Sequence, residues 1–310
     1  MESSWANRSK GGEDAIETTG AGRRARFDRA AFRMSIEFYG RTDTGSKRER
    51  NEDSFLCLDL AMLSPGFPGP AVLLTVAYGI GGQAGGGVAS VIATDALRDS
   101  FARGLSGLTS SPDWPALLAG SFEQANLKIL ERIGQDINLT GMGTTLVAAV
   151  VTGGAAHVAN IGDSRAYRVQ GEDIVQITRD HSWVAEQSRL RPVSDWERSR
   201  SPFRHMITRS LGFEPEVKAD VFSIDLRGGD YVLLCSDGLY SVLPDPDLAR
   251  AFGPDADPKS ICLRLLEAAD RAGSRDNITA VVARLGEPGP AGERSRRPPS
   301  RDGRPRPGGC

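Results

Sequence analysis

Ala71-Val72-Leu73-Leu74-Thr75-Val76-Ala77 is an apolar, partly β-branched run that passes without a break into Tyr78-Gly79-Ile80-Gly81-Gly82. Such a run reads as a buried strand, and the glycines after it let backbone come close to a ligand or take positive φ without steric cost. Val88–Leu97 then carries the composition and period of a helix. A strand, a glycine turn and a helix form a corner where ligand can meet backbone, and the rest of the chain is read around it.

The totals constrain what that corner serves. With 310 residues, 39% hydrophobic and 25% charged, the chain suits one large domain with tails. A formal net charge of -2 gives no field for nucleic acid, so none is expected as partner. The cysteines Cys57, Cys235, Cys262 and Cys310 show neither a Cys-x-x-Cys pair nor the density of a secreted framework, which points to a reducing cytoplasm. No apolar run approaches the ~20 residues that span a bilayer, and the N-terminus is polar, so no membrane association is expected.

Residues 1–33 mix Gly, Ser, Glu and Arg without apolar period and are expected to form a disordered arm; residues 287–310, rich in Gly, Pro and Arg, are expected to form a matching tail. Between them, in a domain over 34–286, strands are expected at Ser35–Tyr39, Ser54–Leu60 and Ala71–Ala77. Two long helices follow, over Val88–Phe101 and from the cap Ser111-Pro112-Asp113-Trp114 to Ile133. Thr144–Val151, Ala155–Ile161, Ala166–Val169 and Asp173–Ile177 then read as an antiparallel meander. His181–Arg209 is polar and only weakly helical, a surface flap. Strands Val217–Ile224 and Tyr231–Cys235, a helical stretch Asp245–Ala272 and a last strand Ile278–Leu285 complete an α+β or layered architecture.

Carboxylates recur where strands end beside glycine: Asp53, Asp163, Asp237 and Asp276. Taken singly, Gly-Asp and Asp-Gly are ordinary turn chemistry. Turn chemistry does not account for four of them in this pattern, and hard oxygen donors gathered so suit Mg²⁺ or Mn²⁺.

Seven short motifs stand in order along the chain: Arg48-x-x-Asn51-Glu52-Asp53, Gly141-Met142-Gly143-Thr144-Thr145, Gly162-Asp163-Ser164-Arg165-Ala166-Tyr167, Asp180-His181-Ser182, Ile207-Thr208-Arg209-Ser210-Leu211-Gly212, Ser236-Asp237-Gly238 and Asp276-Asn277. In order and spacing they resemble the metal-dependent protein phosphatase family, protein phosphatase 2C type, in its bacterial form, from about Ser35 to Leu285. The resemblance implies a layered α/β/β/α sandwich, two antiparallel sheets flanked by helices, with a two-metal site at one end and a third metal site in bacterial members. It implies water attack on phosphoserine or phosphothreonine in proteins, without a covalent intermediate. Arg48 matches the phosphate-binding arginine, Glu52 and Asp53 match holders of metal-bound water, and Gly79 matches a carbonyl donor. Asp237 and Asp276 match metal ligands, and Asp163 with Asp237 matches the further site. A phosphorylated protein substrate, a Ser/Thr kinase that phosphorylates it and a monomeric state follow as expectations.

One position departs from the pattern. Where the family reads Asp-Gly-x-Gly-Gly, with the aspartate bridging both metals, this chain has Tyr78-Gly79-Ile80-Gly81-Gly82. A neutral phenol offers one weak oxygen where a carboxylate offers two anionic ones. Two readings therefore compete, a phosphatase impaired by Tyr78 and a pseudophosphatase that binds phosphoprotein or a kinase without hydrolysis.

Other chemistries fit worse. Gly79-Ile80-Gly81-Gly82-Gln83-Ala84 matches a dinucleotide corner, but no second strand ending in an acid follows. Cys235 lacks an arginine six residues on, as a cysteine phosphatase requires, and reads as core, as does Trp114. His157 reads as a packed strand histidine, and His181, at the flap entrance, as a candidate for touching substrate. The basic stretch Arg294–Arg301 reads as a solvated tail, with docking to an acidic partner as the lesser account.

Overall fold

A computed structural model describes residues 34–64, 67, 69–81, 85–108, 110–190, 203, 206–253 and 256–287. The expected arm, all of the expected tail after Glu287, the end of the glycine loop at 82–84 and residues 191–202 and 204–205 of the flap lie outside them.

Two antiparallel sheets stack face to face. One has the order β1 (Ile36–Asp43), β11 (Ile278–Leu285), β10 (Tyr231–Cys235), β7 (Arg165–Gln170), β8 (Asp173–Gln176). The other runs β2 (Asp53–Asp59), β3 (Ala71–Ile80), β5 (Leu146–Thr152), β6 (Ala155–Ile161), β9 (Asp220–Asp225), with β4 (Gly143–Thr144) paired to the end of β3. Helices α1 (Gly85–Leu105) and α2 (Trp114–Gln135) cover the second sheet, and α6 (Pro258–Arg271) covers the first; the short helices α3 (Trp183–Leu190), α4 (Asp237–Tyr240) and α5 (Asp245–Ala249) come between α2 and α6 in the chain. The expected α/β/β/α sandwich is what forms. Every strand pairing among the described residues is antiparallel, which removes the dinucleotide corner.

Alternation sorts the strand side chains into layers. On β3, Val72, Leu74 and Val76 meet Val147, Ala149, Val232 and Val281 between the sheets. Leu73 and Ala77 point the other way, to Ala89, Ala93, Leu97 and Phe122 of the helices. Being buried on both faces is why β3 and β5 read as unbroken apolar runs. A third layer joins Leu233, Ala280 and Val282 to Ile261, Leu265 and Ala269 of α6. Trp114 is core as expected, stacked on Phe101 with ring centroids 6.4 Å apart, and Asp113 caps α2 by accepting a hydrogen bond from Ala116 N.

The expected meander is two hairpins in different sheets. β5 and β6 pair in one, β7 and β8 in the other, and the chain crosses between them at Gly162-Asp163-Ser164. Gly162 has φ +107, and a Cβ there would stand 2.5 Å from Thr145, so only glycine makes this crossing. The crossing throws Asp163 onto the end of the sandwich.

His157 also differs from expectation. It is half-buried on β6, with Nδ1 2.9 Å from Ser223 Oγ across to β9, because its strand position faces outward.

Candidate metal and phosphate site

Strand register places the expected residues at one end of the sandwich. Asp53, the first residue of β2, stands opposite Tyr78 on β3. Asp237 opens α4 (Asp237–Tyr240) directly after β10, and Asp276 precedes β11. Arg48, Tyr78, Asp163, Asp237 and Asp276 line one cleft of about 1360 Å³, with Ile207, Phe213 and Val217 among its apolar walls.

The carboxylates differ in what already satisfies them. Asp53 Oδ2 accepts from Ser236 Oγ at 2.8 Å and Thr279 Oγ1 at 2.5 Å, while its Oδ1 is buried without a partner. Asp163 Oδ1 and Asp237 Oδ1 are likewise buried and unpartnered. Asp276 is occupied at both oxygens, Oδ1 by Asn277 N at 2.8 Å and Oδ2 by Arg48 Nη2 at 2.7 Å. That ion pair raises the Arg48 pKa, with a smaller contribution from nearby Tyr78. Among the described residues, no three His, Cys, Asp or Glu groups converge into a ready metal cluster.

Burial without compensation shows in the protonation equilibria. Burial lifts Asp53 from 3.8 to about 6, against the Thr279 and Ser236 hydrogen bonds that pull the other way. Burial, then the Asp180 charge, lifts Asp163 to about 6. Asp237 is raised well above its ordinary range by burial and by the charges of Asp163, Asp276 and Asp53. Burial also raises Tyr78, followed by Asp237 and Asp276, so the phenol stays neutral.

These shifts set a pH dependence. The folded, metal-free chain holds its Asp53 and Asp163 protons more tightly than the unfolded chain, so their contribution to stability falls as pH rises from about 4 to about 6. In chelator, wild type is expected to lose about 1–3 kcal/mol relative to Asp163→Asn across that window. Thermal unfolding measures it, and a wild type that gains on the variant as pH rises would contradict it.

A scaffold of side chains holds the site, and the sequence had marked few of them as such. Asn277 accepts from Glu52 N at 2.9 Å and donates to Thr44 O and Arg50 O at 2.9 Å each, tying the Arg48 loop to the root of β11. Asn51 accepts from Asp53 N and donates to Thr42. Thr144 Oγ1 and Thr145 N donate to Tyr78 O, and Thr145 Oγ1 also reaches Ser164 Oγ at 2.7 Å. Thr279, a hydroxyl inside an apolar strand, is the one local sign of this scaffold in the sequence.

Glu52 and Gly79 meet through backbone: Gly79 N donates to Glu52 O at 3.2 Å. A Cβ on Gly79 would lie 2.3 Å from the Gly86 backbone of α1, so this residue cannot carry a side chain.

His181 is not a substrate contact. It is 3% exposed, its Nδ1 accepts from Gly162 N at 3.1 Å and its Nε2 lies 3.2 Å from Asp220. Burial and Arg209 lower its pKa, which keeps Nδ1 free to accept. It therefore anchors the turn that carries Asp163. On the opposite side of that turn Arg165 forms a bidentate pair with Asp180, its guanidinium lies 3.7 Å from the Tyr240 ring, and Tyr240 donates to Asp163 O at 2.9 Å.

Comparison with known proteins agrees with this architecture. A family model described as Protein phosphatase 2C matches residues 48–276. The chain is 31% identical over 249 residues to the serine/threonine phosphatase stp of Listeria innocua, covering 80% of this chain and 95% of that protein. Among solved structures it resembles the serine/threonine phosphatase Stp1 from Staphylococcus aureus, with TM-score 0.73, 30% identity, and coverage of 81% of this chain and 95% of that one. It also resembles the catalytic domain of the phosphatase PstP in complex with two manganese ions, with TM-score 0.69, 31% identity, and coverage of 82% and 100%. Fold, motif order and these relatives together make the chain a member of the protein phosphatase 2C family.

Proposed function

We propose that this chain is a metal-dependent protein serine/threonine phosphatase, with residues 34–286 as the catalytic unit and with hydrolysis slowed by Tyr78. The observation that carries the reading is that Asp163, Asp237 and Asp276, from separate segments, line one open cleft beside Arg48, with Oδ1 of Asp163 and of Asp237 buried and unpartnered. The phosphatase relatives at about 31% identity support it. A cleft of about 1360 Å³ exceeds the roughly 300–1,000 Å³ of small-molecule sites, which favours a protein segment as substrate. The expected setting is a monomer in the cytoplasm, acting on proteins that a Ser/Thr kinase phosphorylates.

The residues fit Mg²⁺ or Mn²⁺ at Asp163 and Asp237, whose free buried oxygens lack any donor. They do not fit a bridged pair, because Tyr78 is neutral and Asp276 is ion-paired. When bound, a cation here supplies charge for phosphoryl oxygens and lowers the pKa of water.

The remaining work falls to the chain's own groups. Arg48 is 42% exposed and holds Asp276 through Nη2 with Tyr78 beside it, and its remaining donors can bind a phosphoryl group. Asp53 is fixed in rotamer by Ser236 and Thr279, leaving Oδ1 to accept from a water and orient it. Glu52 stands beside it at the head of β2, braced by Asn277.

Phosphate release from phosphoserine and phosphothreonine peptides with added Mn²⁺ tests the reading. Arg48→Ala is expected to lower kcat/KM roughly 10–100-fold, since a charge-assisted hydrogen bond contributes about 1.5–3 kcal/mol. Tyr78 favours the second reading, a pseudophosphatase that binds phosphoprotein or a kinase. Tight phosphopeptide binding with no phosphate released at any Mn²⁺ concentration would establish that reading instead.

A further inference from the structure

Asp163 and Asp237 lie just past the ends of two paired strands and line the same cleft. β7 and β10 pair Arg165 with Cys235 as their end residues, and the chain carries Asp163 and Asp237 two residues beyond that pair, in the crossing loop and at the head of α4. Tyr240, one turn after Asp237, donates to Asp163 O at 2.9 Å and closes the loop onto the helix. Each carboxylate presents a buried Oδ1 with no hydrogen-bond partner, and Asp163 is only 9% exposed. An ionised oxygen left so is costly, and a divalent cation between the two would satisfy both. Mg²⁺-like ions are commonly held by one or two carboxylates and complete their shell with water, so two suffice.

The other half of the site offers a single free carboxylate oxygen, Asp53 Oδ1. Both Asp276 oxygens are taken, Oδ2 by the Arg48 guanidinium. Asp53 Oδ2 is taken by two hydroxyls. Tyr78 stands opposite Asp53 as a neutral group. A second dication would have to break the Arg48–Asp276 pair and settle beside an arginine, with no bridging anion to hold it.

We propose that this chain binds one divalent cation, between Asp163 and Asp237, and that the Arg48–Asp276 ion pair with the Tyr78 side chain replaces a second. Asp276 is thereby a positioning partner of Arg48 and not a metal ligand. The catalytic meaning of this cation rests on the phosphatase reading above, whereas its stoichiometry is measured without turnover.

Titrating the full chain with Mn²⁺ alone, by calorimetry and by the electron paramagnetic resonance of free Mn²⁺, decides the matter. One ion is expected for wild type, Tyr78→Phe and Asp276→Asn, and two for Tyr78→Asp. Asp163→Asn and Asp237→Asn are expected to bind at least tenfold more weakly. Two ions or none in wild type, or loss of the ion in Asp276→Asn with retention in Asp163→Asn, would overturn the proposal. The two ideas fail separately. One bound ion without phosphate release keeps the stoichiometry and defeats the phosphatase reading; two ions with phosphate release do the reverse.

Discussion

Tyr78→Asp is expected to raise Mn²⁺-dependent phosphate release about 100-fold or more over wild type. The phenol stands opposite Asp53, within the fields of Asp237, Asp276 and Arg48, and burial keeps it neutral. It contributes one weak oxygen and a ring. An aspartate puts two anionic oxygens at the same backbone position, and it frees the space the ring fills. Preorganised charge at such a position is typically worth 10²–10³ in rate. Release of p-nitrophenol from its phosphate, at saturating Mn²⁺, reads the effect directly. Tyr78→Phe is the control and is expected to match wild type, because a neutral phenol and a phenyl ring both fail to bridge cations. If Tyr78→Asp and wild type turn over at the same rate, Tyr78 does not limit the reaction, and the pseudophosphatase reading goes with it.

The fold was legible where burial is two-sided or strictly alternating. Tyr231–Cys235 and Ile278–Leu285 appear with their expected bounds, and β3 needed only extension to Ile80. The exchange of sheets at Gly162 was not legible, because a Gly-Asp turn looks the same whether it closes a hairpin or leaves the sheet. Site residues were legible as types, acids beside glycine, and all of them reach one end of the sandwich. Their pairings were not legible, since they join distant segments. Arg48 and Asp276 are 228 residues apart in sequence, and Asp53 and Thr279 are 226 apart. Nothing local announces that Asp276 is spent on an arginine while Asp163 is free, yet that difference decides which carboxylates can hold a cation.

Asn277→Ala is expected to have the largest effect on stability of any single truncation around the site. Its side chain is 1% exposed and makes three hydrogen bonds, to Glu52 N, Thr44 O and Arg50 O. Truncation leaves three backbone groups without that partner, at about 1–3 kcal/mol for each one left buried. Water reaches the exposed loop in part, so a total of about 3–4 kcal/mol is expected, or a Tm lower by roughly 6–15 °C for a domain of this size. Asn277→Asp offers no rescue. It keeps the acceptor for Glu52 N, but turns an anion towards two carbonyl oxygens beside Asp276. Because Asn277 holds the loop that carries Arg48, phosphopeptide affinity should fall with stability, by about tenfold at temperatures where the variant is still folded. Chemical unfolding gives the first quantity and fluorescence anisotropy of a labelled phosphopeptide the second. A loss below about 1 kcal/mol would show that the Arg48 loop is held by something other than this amide, and the ion pair with Asp276 would then be its principal tether.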